Sequence, residues 1–181
     1  MSIVQDRPRS ALANQSLASY GRQSAGAARA VAAPNEVLTL RLGAEEYGID
    51  ILRVQEIRSY EQPTRIANAP SFIKGVVNLR GVIVPIIDLR LKLGCDSAEL
   101  NAMTVVIVLN MRGRVIGAVV DAVSDVIQLD AALVQPAPAM NALVDTRYIR
   151  GIANVAERML ILVDIESVLT GDELGALDAS F

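Results

Sequence analysis

The 181-residue chain carries 17 basic and 20 acidic side chains, a net charge of −3, with 52% apolar residues and no His. Its single Cys, Cys95, rules out an intramolecular disulfide or a cysteine-based zinc cluster. Without imidazole the commonest general base and the commonest metal ligand are both missing, which excludes most hydrolase, zinc and haem chemistry. The apolar content supports a core, and the length suits one domain with residues to spare.

In chain order, residues 1–35 stand apart: rich in Ala, Ser and Gln, they set Arg7, Arg9, Arg22 and Arg29 against one acid, Asp6. They are predicted to form a disordered N-terminal extension. The opening MSIVQDRPRS has no apolar segment of the secretory kind. No apolar run approaches the roughly 20 residues of a membrane-spanning helix, so the chain is expected to be cytoplasmic.

From Glu36 onward the texture is short strands separated by turns. Val37 to Leu42 alternates, Gly43 to Glu46 turns it, and Tyr47 to Ile51 alternates again. Val76–Leu79 and Val82–Ile87 flank Arg80-Gly81, which reads as a tight hairpin. Thr104–Asn110 and Val115–Val120 flank a second hairpin at Met111 to Arg114. Pro85 inside a strand run predicts an edge or a bulge. Helical pattern appears mainly after strands, around Leu89 to Leu93 and Ile165 to Leu174. Strands this short and this evenly spaced point to barrels or a sandwich rather than a parallel sheet.

The chain repeats itself. Phe72-Ile-Lys-Gly-Val-Val-Asn-Leu79 matches Tyr148-Ile-Arg-Gly-Ile-Ala-Asn-Val155 at an offset of 76 residues. Val82 to Leu89 likewise aligns with Arg158 to Ile165. Upstream the offset is 69: Leu38 meets Ile107, Gly48 meets Gly117, and Val54-Gln-Glu-Ile57 meets Val123-Ser-Asp-Val126. The second copy therefore has seven extra residues in one loop, placed near Pro136-Ala-Pro138. A copy of about 65 residues is marginal alone, so the two are expected to share a core. Apolar positions are kept between the copies, but Arg80-Gly81 becomes Ala156-Glu157. Arg80 is thus either a residue with a specific binding role or a solvated turn arginine.

Catalytic and cofactor signals are absent: no Gly-rich phosphate loop, only two Lys (Lys74 and Lys92), and Ser and Asp without a His base. Glu45-Glu46 reads as solvated charge. Asp50, Asp88, Asp121 and Asp164 follow apolar runs and are expected to cap the segments behind them, with a carboxylate metal site as the alternative. Cys95 reads as an incidental thiol. No cofactor and no metal are expected.

Three motifs, Tyr47 to Ile57, Ile66-Ala-Asn-Ala-Pro70 and Phe72 to Leu89 with its Asn78-Leu-Arg-Gly81 core, resemble the CheW family of bacterial chemotaxis coupling proteins. Gly117 to Val126 and Met159 to Asp164 continue the likeness, which covers about residues 36–175. The resemblance implies a mainly β fold, two five-stranded SH3-like β-barrels built from the repeat around one core, with a short C-terminal helix. Its two subdomains would span approximately 38–93 and 105–170, followed by a tail at 176–181. It also implies a non-catalytic adaptor between the cytoplasmic tip of methyl-accepting chemoreceptors and the regulatory domain of the chemotaxis histidine kinase CheA. Such an adaptor is recruited to membrane-associated receptor arrays, with weak self-association in rings and no nucleic-acid partner. By position Glu56 and Arg80 match the family's functional acid and arginine. Val54, Ile57, Gly75, Asn78 and Leu79 fall in the same partner-binding stretches. The same module in another chemosensory or motility pathway, or a small-ligand-binding paired-barrel protein, are the competing readings.

Overall fold

In the computed structural model the described residues are 36–95, 98–138 and 146–179. The extension expected over 1–35 and most of the loop insertion lie outside them. The first copy of the repeat supplies β1 (Glu36–Leu42), β2 (Glu45–Asp50), β3 (Val54–Ser59), β4 (Ile73–Leu79), β5 (Val82–Asp88) and the short helix α1 (Leu89–Lys92). The second supplies β6 (Val105–Met111), β7 (Arg114–Val120), β8 (Ala122–Gln128), β9 (Val134–Gln135), β10 (Ile149–Val155), β11 (Arg158–Val163) and helix α2 (Gly171–Ala179). The mainly β architecture with a short C-terminal helix is as expected. Helix α2 starts later than predicted, after a 3-10 turn at Ile165–Ser167, and runs into the segment taken for a tail.

The strands form two sheets, ordered β8-β1-β2-β11-β10-β9 and β3-β6-β7-β5-β4. Each repeat thus lends its first hairpin to the sheet of the other. The boundaries at 38–93 and 105–170 describe the sequence repeat, and the sheets cross them. Each sheet is antiparallel except at one junction between lent and host strands: β2 runs parallel to β11, and β7 parallel to β5. Pro85 lies in a strand with neighbours on both sides, not at an edge. It is tolerated there because the β7 pairing begins only at Ile86.

Both sheets curl. The chain from Gln128 at the end of β8 to Val134 at the start of β9 can reach ~20 Å, whereas five strand spacings across a flat sheet are ~24 Å. These two strands are nevertheless the first and last of their sheet. In the other sheet, Thr64, five residues past β3, pairs with Val76 of the last strand, β4. This return leaves no room for a side chain at Gly75, whose Cβ would lie 2.0 Å from the Thr64 carbonyl oxygen, with φ at +138°. Its repeat mate Gly151 faces the Gln135 carbonyl in the same way. Gly48 and Gly117, the other conserved pair between copies, sit where a Cβ would strike Leu162 in one sheet and Ile86 in the other.

Curling leaves three apolar clusters. Val37, Leu129, Ala153, Leu160 and Leu162 fill one sheet, and Val84, Ile86, Val106 and Val119 fill the other. The largest cluster joins them, with Leu38, Leu40, Leu42 and Ile49 meeting Ile107, Leu109, Met111, Ile116 and Ala118, roofed by Leu174 and Leu177 of α2. This is the shared core that the repeat predicts.

The carboxylates are largely caps. Asp50, Asp88 and Asp164 each accept a bond from the backbone N–H two residues on, and so does Asp130. Asp121 departs from that expectation: it accepts from the Gly43 N–H and from Arg90. Arg90, which its sequence context did not single out, is fully buried. It donates to both oxygens of buried Asp88, to Asp121 at 3.0 Å and to the Glu99 carbonyl at 2.7 Å. The Asp88 bonds raise the guanidinium's pKa above its ordinary value against the opposing effect of burial.

The β10–β11 turn keeps the left-handed geometry of the other hairpins without glycine: Ala156 and Glu157 have φ of 49° and 64°, where Arg80-Gly81 have 52° and 86°. Replacing Glu157 by Gly removes the strain at that position and is expected to stabilise the fold by about 0.5–1 kcal/mol, read as a rise in Tm of roughly 2–4 °C. Arg90→Ala leaves Asp88 buried and unpaired, and is expected to cost about 3–5 kcal/mol in denaturant unfolding. Arg53→Ala, which breaks the half-exposed Arg53–Glu166 pair, should cost less than about 1 kcal/mol in the same assay.

Candidate partner-binding site

Strand β3 carries the candidate residues VQEIRS, alternating half-buried and exposed. Cross-strand partners share a face. Glu56 pairs with Val108 and Arg58 with Val106, so both charged side chains stand over the apolar interior of the curled sheet. Val54 lies opposite Leu109 and Ile57 opposite Ile107, which puts both on the side of the shared core; a bulge between Val54 and Glu56 brings them to one face. Val54 packs against that core, while Ile57 is left 45% exposed.

Arg80 reaches Glu56 across the closure. Its Nη2 donates to Glu56 Oε2 at 2.7 Å, and Arg58 Nη1 approaches the other oxygen at 3.4 Å. Strand β3 and the β4–β5 turn belong to opposite ends of the sheet, so this contact exists only because the sheet curls. The Arg80 hydrogen bond, above all, holds the Glu56 carboxyl below the usual carboxylate range. Val77, Leu79, Ile86, Val106 and Val108, with Arg58, Ser59 and Glu61, line a small cavity of about 20 Å³.

The remaining predicted residues divide by role. Leu79 points into the sheet interior. Asn78 accepts a bond from the Gly81 N–H at 2.8 Å, which holds the turn that aims Arg80. Asn110 does the same for Gly113 in the β6–β7 hairpin, so the Asn-X-Arg-Gly pattern is turn chemistry in both places. Gly75 serves the chain return described above. Glu56, Arg80 and Ile57 are therefore the three that offer functional groups outward.

The site also includes residues that sequence reasoning aligned but did not select. Val123 and Val126 of β8 are the repeat mates of Val54 and Ile57. They lie opposite Leu40 and Leu38, again on the side of the shared core. Val123 is half-buried against it, and Val126 is 47% exposed. The two edge strands thus each leave an apolar stripe at the rim of one core. The matching offset was the available signal. The charges are not matched: Asp125 replaces Glu56, its carboxylate bonds the Val126 N–H, and Ala156 stands in the place of Arg80.

Among the described residues no group of three or more acids, Cys or His is placed to hold a metal. Burial, above all, pushes the Cys95 thiol up, away from a reactive thiolate. No helix among the described residues is long and apolar enough to cross a membrane.

This geometry has relatives. A family profile described as "CheW-like domain" matches residues 36–173. The chain is 57% identical over 143 residues to the "Chemotaxis protein CheW" of Klebsiella aerogenes, covering 79% of this chain and 86% of that one. It is 31% identical over 134 residues to the protein of the same name from Bacillus subtilis, covering 74% and 86%. Among solved structures, the scaffolding protein TtCheW from Thermoanaerobacter tengcongensis superposes with a TM-score of 0.70 at 31% identity, over 78% of this chain and 91% of that one. With its repeat, its two sheets and the Glu56–Arg80 contact across the closure, the chain belongs to the CheW-like family.

Proposed function

We propose that this protein is a non-catalytic adaptor of bacterial chemotaxis, coupling methyl-accepting chemoreceptors to the histidine kinase CheA within membrane-associated arrays. The observation that carries this reading is the rim of the shared core, where exposed Ile57 and Val126 lie on matched edge strands and the Glu56–Arg80 pair stands beside the first. The receptor tip that the family resemblance implies is an elongated helical element. Its apolar stripe suits such a rim, in the mode by which an amphipathic helix seats on an apolar groove. Val54 and Val123 form the floor and are held by the core.

The ion pair acts on orientation. Arg80 is largely exposed, and its pairing with Glu56 fixes a bulky planar cation at one end of the stripe. A fixed cation at an interface rim adds specificity and encounter rate more than affinity. The protein serves as a scaffold that both partners read without chemical change.

The test is size-exclusion co-elution with a soluble receptor tip and, separately, with the kinase regulatory domain. The wild-type chain is expected to co-elute with both. Arg80→Ala should keep the wild-type melting curve while losing roughly tenfold in receptor affinity, with kinase binding unchanged. Normal receptor binding by a folded Arg80→Ala chain would remove the pair from the interface; failure of the wild type to bind either partner would overturn the adaptor reading.

A pH series gives an independent check. Because the Glu56 pKa is depressed in the folded chain, the contribution of its pairing is present above the ordinary carboxylate pKa and is lost as pH falls through the folded value. Receptor affinity should therefore stay level from neutral pH through the ordinary glutamate range and decline only below it. In Glu56→Gln the paired component is absent and the decline should vanish.

A further inference from the structure

The loop between β3 and β4 encloses a second feature that the rim does not use. After Thr64 returns to pair with Val76, residues between Arg65 and Lys74 line an open cavity of about 520 Å³. Its apolar lining residues are Ile66, Ala67, Ala69, Pro70 and Ile73, and its polar ones are Arg65, Ser71 and Lys74. No carboxylate lines it, although residues 36–181 carry 19 acids against 13 bases.

The repeat shows why Lys74 stands without an acid partner. In the second copy the mate of Lys74 is Arg150, whose Nη2 lies 3.9 Å from Asp164. In the first copy the corresponding acid is Asp88, and both of its oxygens are taken by Arg90. The carboxylate that would have answered Lys74 is thus spent inside the core. Among the described residues no acid lies within 4.0 Å of Lys74 or Arg65.

We propose that this cavity binds a small organic phosphate, its dianionic head between Arg65, Lys74 and Ser71 and its apolar body against Ile66 and Ile73. Arg offers a planar fork of donors and Lys a point charge, a combination suited to a tetrahedral dianion. The volume falls in the range of small-molecule sites, which bring a few polar groups together over an apolar lining. The site is separate from the Glu56–Arg80 rim, and its occupancy does not depend on the adaptor reading.

The test is a titration of the full chain, followed by backbone amide NMR at constant ionic strength, with inorganic phosphate and with phenyl phosphate. Saturable shifts are expected at residues 65–74, with phenyl phosphate bound roughly tenfold more tightly because its ring covers the apolar floor. Arg65→Gln and Lys74→Gln should each weaken binding by about tenfold or more, while Lys74→Arg, which keeps the cation, should retain it. Equal affinity for the two probes would overturn the organic ligand. So would the absence of saturable shifts, or unchanged binding in both Gln variants with wild-type melting curves.

Discussion

The exchanged strands β1, β6 and β7 are buried on both faces over most of their length, and the rest of the molecule follows from that. In β6 and β7, Val106 and Val119 fill the interior of the host sheet, while Ile107, Leu109, Met111, Ile116, Ala118 and Val120 face the shared core. In β1, Val37 enters one cluster and Leu38, Leu40 and Leu42 the other. A strand buried on both sides must be apolar nearly throughout, which is the texture of VVIVLNM and VLTLRL. Neither sheet is complete without strands from both repeats, so neither repeat has a closed fold to itself. The edge strands β3 and β8 therefore hold their places relative to the core, and the exposed valine and isoleucine they carry are presented on a rigid frame.

Much of this is legible in the sequence, and what is not has identifiable causes. The offsets of 69 and 76 residues disclose the repeat and its shared core because packing keeps apolar positions and glycines in both copies. They do not disclose the exchange, since two hairpins with the same alternation offer the same pairing to either sheet. Strands β3 and β8 are hard to read for a different reason: half of each faces solvent, so VQEIRS carries little of the apolar run that marks a strand. Arg90 sits in Leu-Arg-Leu-Lys, a context that reads as a solvated helix face. Its burial becomes visible only when the β7–β8 link brings Asp121 to it.

The site shows the same division. Placing Glu56 and Arg80 together rests on resemblance, since residues 24 apart on strands from opposite ends of a sheet have no local reason to meet. Curling supplies the reason. It also changes what Gly75 and Asn78 signify, because the first makes way for the Thr64 carbonyl and the second holds a turn. A motif can be dense with functional-looking residues when only one or two of them face outward and the others build the backbone that aims them.

The departures from the repeat are electrostatic more than apolar. At one junction between the sheets Arg90 is held by Asp121, and the Gly43 N–H bonds the same acid. At the other, the mate of Arg90 is Glu166, which pairs with Arg53 and accepts from the Arg112 N–H, so the polarity is reversed. Reversed charges make the two junctions non-interchangeable: an acid brought to the wrong junction would meet an acid, at a cost that uniform apolar packing does not impose. The rim follows the same rule with a different purpose. Its apolar stripes are matched, but Arg80 marks only the first, where the second has Ala156. Under the proposed adaptor role Arg80 distinguishes the first stripe from the second for a partner that meets both, and it does so at an exposed position where the fold itself has little at stake.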